Sequence, residues 1–102
     1  MPTQPELASM SASSEIVVNV LKSLANPDRL SILCHLAEKE LNVSQIEVLT
    51  EIKQPTLSQQ LMMLRKSDVV CTRRAGKQIF YSLKDNNLLT VLNTLQQLYY
   101  SE

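Results

Sequence analysis

The chain has 102 residues, 44% of them hydrophobic, and equal numbers of basic and acidic residues give it a net charge of zero. This length allows one domain at most, and the hydrophobic content indicates a folded core. No apolar run reaches the roughly 18 residues of a membrane span, and residues 1–13 have neither the basic residue nor the apolar stretch of a secretory signal. We therefore expect a cytoplasmic protein with no membrane contact.

The charge is unevenly distributed along the chain. Residues 53–84 carry seven basic residues against one acidic residue, a local charge of +6, whereas residues 1–52 carry three basic residues against seven acidic ones. For binding to a phosphate backbone, a local basic segment matters more than the total charge. Residues 53–84 are therefore the part of the chain in which we expect nucleic-acid contacts.

The N-terminal segment differs in composition from the rest of the chain. Residues 1–13 contain two prolines and several Ser and Thr residues without apolar periodicity. This composition predicts a disordered tail. Residues 14–102 form the predicted folded domain, and helical spacing of apolar residues predicts its first helix over 14–24.

Capping signals predict the next three helices. Asn26 followed by proline marks the start of a second helix, and a short extended link covers residues 41–43. Ser44 with an acidic residue at Glu47 has the spacing of a capping box, which predicts a third helix over 44–52. Pro55 then suits the start of a fourth helix, which we expect to reach residue 67.

The last third of the domain changes character. Residues 69–83 are rich in strand-forming residues on either side of Gly76, the single glycine of the chain, which predicts a β-hairpin. Asp85 then caps a final helix over 85–100. The predicted order is ααααββα, with a short strand before the third helix. This is a mainly helical fold with a β-hairpin wing, a winged helix-turn-helix.

In a helix-turn-helix, the second helix enters the major groove and offers its N-terminal residues to base edges. Glutamine can form two hydrogen bonds with adenine, and Ser or Thr can pair with several base edges. The predicted DNA-binding residues of this helix are Gln54, Thr56, Ser58, Gln59, Gln60 and Arg65. For Gln54, the alternative is a helix-start role without DNA contact.

The predicted wing adds a second set of candidates. Arg73, Arg74, Lys77 and Gln78 surround the hairpin tip, where long side chains reach the DNA backbone or the minor groove. The alternative is a solvated charged surface on a winged helix that binds protein instead of DNA. The combination of a polar helix face with a basic wing favours DNA.

Several motifs resemble one known family. The stretch LANPDRLSIL at 24–33 is similar to the second-helix signature of the ArsR/SmtB repressors. QPTLSQQL at 54–61 resembles their recognition helix, and TRR at 72–74 with KQIFYSL at 77–83 resembles their wing. Within the family, the wing and the Leu33-Cys34 pair are most similar to the HlyU/BigR/SqrR-like branch.

The resemblance implies a homodimer built on the first and last predicted helices, residues 14–24 and 85–100. Such a dimer binds an inverted repeat in double-stranded DNA and acts as a repressor or an anti-silencer. The apolar stripes of both helices are consistent with this dimer, and they are equally consistent with closure of the monomer core.

The resemblance also bears on sensing. Metal-sensing relatives have cysteine pairs in the segment that matches 40–44, where this chain has Asn42 and Ser44. The last helix has no histidine, and His35 is the single histidine of the chain, so we expect no metal site and no cofactor.

Thiol chemistry is associated with the HlyU/BigR/SqrR-like branch, which uses one cysteine in the second helix and another near the end of the last helix. Cys34 matches the first position, and Tyr100 occupies the second. Three interpretations of Cys34 are open: a small core residue, a single thiol that forms an adduct or a sulfenic acid, and a bridge to Cys71. A bridge needs Cα atoms within about 7 Å, which the position of Cys71 at the start of the wing disfavours.

Three classes of function follow from these features. A DNA-binding regulator, with Cys34 as its redox candidate, fits the residues best. A constitutive repressor without a sensor and a protein-binding winged helix are the alternatives. An enzyme is not expected, because the sequence has no nucleophile–base motif and no phosphate-binding loop.

Overall fold

The computed structural model describes residues 4–12 and 14–100. Its helices are α1 (Gln4–Ala12), α2 (Glu15–Leu24), α3 (Pro27–Glu38), α4 (Val43–Thr50), α5 (Thr56–Lys66) and α6 (Asn86–Tyr100). Its strands are β1 (Leu41–Asn42), β2 (Val70–Ala75) and β3 (Gln78–Leu83). Helices α4 and α5 form the helix-turn-helix, and β2 and β3 form the wing. The predicted fold class is confirmed.

Helix α1 lies in the segment that was predicted to be a disordered tail. Apart from its proline, α1 is made largely of residues with good helix propensity, and Pro5 lies in the first turn, where its missing N–H costs nothing. Leu7 and Met10 are exposed, and within the described residues α1 has no extensive packing partner. The sequence analysis did not predict this helix, because α1 has no apolar face. Residues 1–3 and 13 lie outside the described residues.

Two of the predicted helix starts are confirmed. The Asn26 side chain accepts hydrogen bonds from the backbone N–H groups of Asp28 and Arg29, at 2.9 and 3.1 Å. At the start of α6, the Asp85 carboxylate accepts from the backbone N–H groups of Asn87 and Leu88. Each cap satisfies N–H groups that have no partner inside the helix.

The predicted cap of α4 is wrong by two residues. Asn42, not Ser44, caps the helix: its side chain accepts from the Gln45 N–H, and the Gln45 side chain accepts from the Asn42 N–H, both at 2.8 Å. Asn42 also pairs with Phe80 of β3. Because the strand pairing fixes Asn42, the chain enters the helix earlier than the Ser44–Glu47 pattern indicated.

Helix α3 lies at the centre of the core. It contacts α2, α4, α5, α6 and β3. Ile32 and Leu33 of α3 are completely buried, as are Ile46 of α4 and Leu57 and Leu64 of α5. Burial of whole aliphatic side chains is the main force that fixes one helix against another, so α5 is held in one orientation relative to α3.

The three strands form an antiparallel sheet in the order β1-β3-β2. The hairpin turns at Gly76, whose φ of 64° lies in the left-handed region that glycine adopts without steric cost. Directly opposed residues of such a pair face the same side of the sheet. The register opposes Thr72 to Tyr81 and Arg73 to Phe80, so Arg73 and its neighbour Arg74 face opposite sides.

Candidate nucleic-acid interface

Helix α5 buries one face and exposes the other. Leu57, Leu61 and Leu64 are buried, which leaves the opposite face to solvent. The exposed residues on or beside the outward face are Thr56, Ser58, Gln59, Met62, Met63, Arg65 and Lys66. Thr56 and Gln59, three residues apart, share one side of the exposed surface, and Ser58 and Arg65, seven residues apart, share another.

Met62, Met63 and Lys66 of this exposed face were not among the predicted contacts. Met62 and Lys66 follow Gln59 by three and seven residues, so they lie on the same side of the helix. The helical spacing alone could have identified both. Met62 adds an apolar side chain of the kind that contacts a thymine methyl group, and Lys66 adds a charge for phosphate.

Gln54 caps the start of α5. It lies in the turn before the helix, and its Oε1 accepts hydrogen bonds from the Ser58 backbone N–H at 3.1 Å and from Ser58 Oγ at 2.7 Å. Pro55 occupies the N-cap position and has no side-chain acceptor. Gln54 therefore supplies the missing cap through its amide oxygen.

Gln60 faces the protein interior more than the other predicted contacts. Its Oε1 accepts a hydrogen bond of 3.0 Å from Arg29 Nη1. The same guanidinium donates to the carbonyl oxygens of Lys22 and Ser23, at 2.8 and 3.3 Å. Arg29 therefore ties the last turn of α2 to α5. The sequence analysis did not identify a role for this residue, although its place in the first turn of α3 was a signal.

Arg73 and Gln78 are bound to the protein itself. Arg73 donates two hydrogen bonds to the Glu40 carboxylate, at 2.7 and 2.8 Å, and lies 4.7 Å from the centroid of the Phe80 ring. The hydrogen bonds with Arg73 lower the pKa of Glu40 and raise the pKa of Arg73. Gln78 Oε1 accepts from Asn42 Nδ2 at 2.8 Å. These two residues link the wing to Glu40 and Asn42, at and beside β1.

Arg74 and Lys77 are exposed cations of the wing. Arg74 lies on the sheet face of Tyr81, and its Nε donates to the carbonyl of Gly76 at 3.2 Å. Lys77 is exposed at the hairpin tip. Within residues 4–12 and 14–100, neither belongs to an ion pair; the two pairs are Arg73 with Glu40 and Lys84 with Asp68.

A groove joins the helix to the wing. It has a volume of about 510 Å³ and lies between α5, Val43 of α4 and Tyr81 of β3. Its α5 side is lined by Ser58, Leu61, Met62, Arg65 and Lys66. Polar and basic side chains on one side of a concave surface, beside a basic hairpin, form an arrangement that attracts a phosphate backbone.

Cys34 lies in a second groove, of about 910 Å³, between α3 and α6. Its side chain is exposed, so the interpretation as a buried core residue is wrong for this chain. Partial burial, and secondarily the Glu38 carboxylate, raise the pKa of the thiol. Tyr100 lines the same groove, and Cys71 is exposed on β2.

No metal site is visible in the part of the chain that the structure describes, since it contains no group of three or more His, Cys, Asp or Glu side chains suited to an ion. His35 Nδ1 donates to the Ser31 carbonyl at 2.8 Å. Among the described helices, none has the length and apolar character needed to cross a membrane.

Comparison with known proteins finds a family match centred on the helix-turn-helix. The model of the bacterial regulatory proteins of the arsR family matches residues 26–72, from the cap of α3 into β2. The biofilm growth-associated repressor of Agrobacterium fabrum is 41% identical over 93 residues, which cover 91% of this chain and 80% of the repressor.

Solved structures agree with this match. The crystal structure of the transcriptional repressor BigR from Xylella fastidiosa superimposes with a TM-score of 0.88 at 39% identity, covering 99% of this chain and 100% of BigR. The homodimeric winged helix-turn-helix DNA-binding domain of Mb0332 from Mycobacterium bovis, a possible ArsR-family regulator, gives a TM-score of 0.75 at 28% identity. That comparison covers 95% of this chain and 86% of the domain.

Proposed function

Because the chain belongs to the ArsR family of bacterial regulatory proteins and is a DNA-binding transcriptional regulator, we propose that it works as a homodimer that places two copies of α5 on an inverted repeat. The observation that carries the dimer is the exposure of large apolar side chains on α2 and α6. Ile16 is 79% exposed, Leu98 69% and Tyr99 74%. Large apolar side chains exposed to this extent on the same two helices indicate a protein interface.

The shape of the chain also supports an assembly. Its Cα radius of gyration is 15.0 Å, whereas a compact domain of about 100 residues has a radius near 13 Å. A symmetric dimer uses the same patch on both copies, so α2 and α6 of one copy would cover their equivalents on the other. The Mb0332 domain, which shares this fold, is homodimeric.

The DNA contacts follow from the dimer. Two recognition helices about 34 Å apart match successive turns of the major groove, which gives an inverted repeat whose half-sites are centred one helical turn apart. In each copy, Thr56, Ser58 and Gln59 would face base edges. Arg65, Arg74 and Lys77 would neutralise phosphates and supply the salt-dependent share of the affinity. Occupation of a promoter by this dimer would repress transcription or displace a silencing protein.

For Cys34 we propose no two-cysteine switch of the kind that the family resemblance implied. No second cysteine lines its groove within the described residues, so a bridge inside that groove is not part of the proposal. A raised pKa keeps the thiol protonated at neutral pH, which slows its reaction with oxidants. Cys34 stays a candidate for a single-thiol adduct, and a constitutive repressor is the alternative. We also propose that the protein is cytoplasmic and has no enzymatic activity.

The dimer is tested by sedimentation of the wild type beside two variants. Ile16→Glu places a charge in the proposed interface. Val48→Glu is the matched control, because Val48 is 75% exposed on α4, outside the proposed interface. We expect dimers for the wild type and Val48→Glu, and monomers for Ile16→Glu. A dimeric Ile16→Glu variant would contradict the interface.

The DNA function is tested by titration of the reduced protein against a duplex containing its own promoter at two salt concentrations. We expect tight binding that weakens with salt, and weaker binding by Ile16→Glu because a monomer occupies one half-site. Absence of salt-sensitive binding would overturn DNA recognition and favour the protein-binding alternative.

A further inference from the structure

The glutamines near the start of α5 differ in which amide atoms remain free. Adenine presents an acceptor and a donor in the major groove, so a glutamine that reads it needs both its amide oxygen and its amide NH₂. Guanine presents two acceptors, N7 and O6, so donors alone can read it. The base that each glutamine can recognise therefore depends on what the protein already binds.

The amide oxygen of Gln54 already accepts two hydrogen bonds from the protein. The Ser58 backbone N–H can only donate, so the Gln54 atom 3.1 Å away is the amide oxygen and not the nitrogen. The Ser58 hydroxyl donates to the same oxygen at 2.7 Å. An amide oxygen has two lone pairs, and both are used. Gln54 is an exposed residue, and its NH₂ group carries the two remaining donors.

Gln60 has one of the two lone pairs of its amide oxygen in use. A guanidinium has no acceptor, so the Gln60 atom 3.0 Å from Arg29 Nη1 is the amide oxygen, and this bond holds the side chain toward α3. Gln60 is half-buried on the α3 side of the helix. By contrast, Gln59 is exposed on the outward face, and within residues 4–12 and 14–100 its side chain makes no hydrogen bond.

We infer, on the basis of the proposed DNA-binding function, that Gln54 reads guanine through its two amide donors and that Gln59 is the one glutamine of α5 that reads adenine. The capping bond to Ser58 thus sets base preference as well as helix start. Gln54 could accept a hydrogen bond from adenine N6 only after one of its two hydrogen bonds with Ser58 had broken.

The test is selection from a random-sequence duplex library by the wild type, Gln54→Glu and Gln59→Ala. Gln54→Glu is a matched variant, because glutamate keeps an oxygen for the Ser58 N–H and hydroxyl but has no donor to offer guanine. We expect Gln54→Glu to lose a guanine preference at one position of each half-site, by about tenfold, and to keep the adenine preference. Gln59→Ala should do the reverse.

A base analogue supplies the second measurement. Replacing the selected guanine with 7-deazaguanine removes the N7 acceptor, which should weaken wild-type binding severalfold and leave Gln54→Glu unaffected. The inference would be overturned if Gln54→Glu lost an adenine preference, or if it kept every base preference of the wild type. If the wild type selects no sequence at all, the proposed DNA-binding function itself fails. Thermal melting of each variant separates these outcomes from misfolding.

Discussion

The central region of the chain, residues 27–83, and its two flanking helices α2 and α6 leave different surfaces open. All of the buried hydrophobic residues lie in the central region except Leu88 and Leu92 of α6. The exposed side chains of the central region at α5 and the wing tip are mainly polar or basic, whereas α2 and α6 expose the apolar side chains of Ile16, Leu98 and Tyr99.

This difference indicates two kinds of partner for one small domain. The central region supplies most of the core, and the polar and basic groups that it leaves exposed are available to a polyanion. The flanking helices use only part of their apolar surface within the chain, so the rest needs a second protein surface. Substitutions in the central region and in the flanking helices should therefore impair different properties of the protein.

The largest expected effect comes from the central core. Leu57→Ala removes a completely buried side chain and should lower the free energy of unfolding by about 2–5 kcal/mol. Leu98→Ala, on the exposed side of α6, should instead weaken self-association and shift unfolding only through protein concentration. Urea unfolding at two protein concentrations measures both. Equal, concentration-independent losses would remove the distinction between the regions.

The next effect concerns the link between the regions. Arg29→Lys replaces a guanidinium that serves three acceptors with a single ammonium, so the hold of α2 on Gln60 of α5 should weaken by about 1–3 kcal/mol. DNA affinity, measured where the variant is fully folded, should fall as well. Lys22→Gln is the control, since Arg29 uses only the Lys22 carbonyl. Unchanged affinity in a destabilised Arg29→Lys protein would restrict Arg29 to a stabilising role.

A smaller effect distinguishes the cations of the wing. Arg74→Ala and Lys77→Ala should each reduce the slope of log affinity against log salt by about 1, because each removes a phosphate contact. Arg73→Ala should leave the slope nearly unchanged, since Arg73 is bound to Glu40. Binding titrations over a salt series make the comparison. A slope reduced as much by Arg73→Ala would show that the ion pair opens on DNA.

The smallest effect is at the groove where the two regions meet. Because burial and the Glu38 carboxylate raise the pKa of Cys34, its thiolate forms only at higher pH than that of an ordinary cysteine. Alkylation of Cys34 in a Cys71→Ser background should therefore reach half its maximal rate at raised pH, and Glu38→Gln should lower that midpoint. Mass spectrometry of the Cys34 peptide gives the rate. A midpoint at or below that of a free thiol would contradict the raised pKa.

Local signals in the sequence were sufficient for most of the fold. Asn26 and Asp85 mark helix starts because a cap acts on N–H groups two or three residues away, and Gly76 marks the hairpin tip because the turn needs a positive φ. The apolar spacing of α5 also predicted its outward face. Helix α1 was missed because it has no apolar face, and the cap of α4 was misplaced because a strand partner, Phe80, fixes Asn42.

The sequence by itself also determined which segments carry the polar and basic residues of the candidate interface. Which of those residues are free to act was decided by tertiary structure. Gln60 is held by Arg29, 31 residues earlier, and Arg73 by Glu40, 33 residues earlier. Such partners meet only when the core places α3 against α5 and β1 beside the wing. A hydrogen-bonding side chain has few bonds to make, so a partner supplied by the fold removes what its residue type alone would offer DNA.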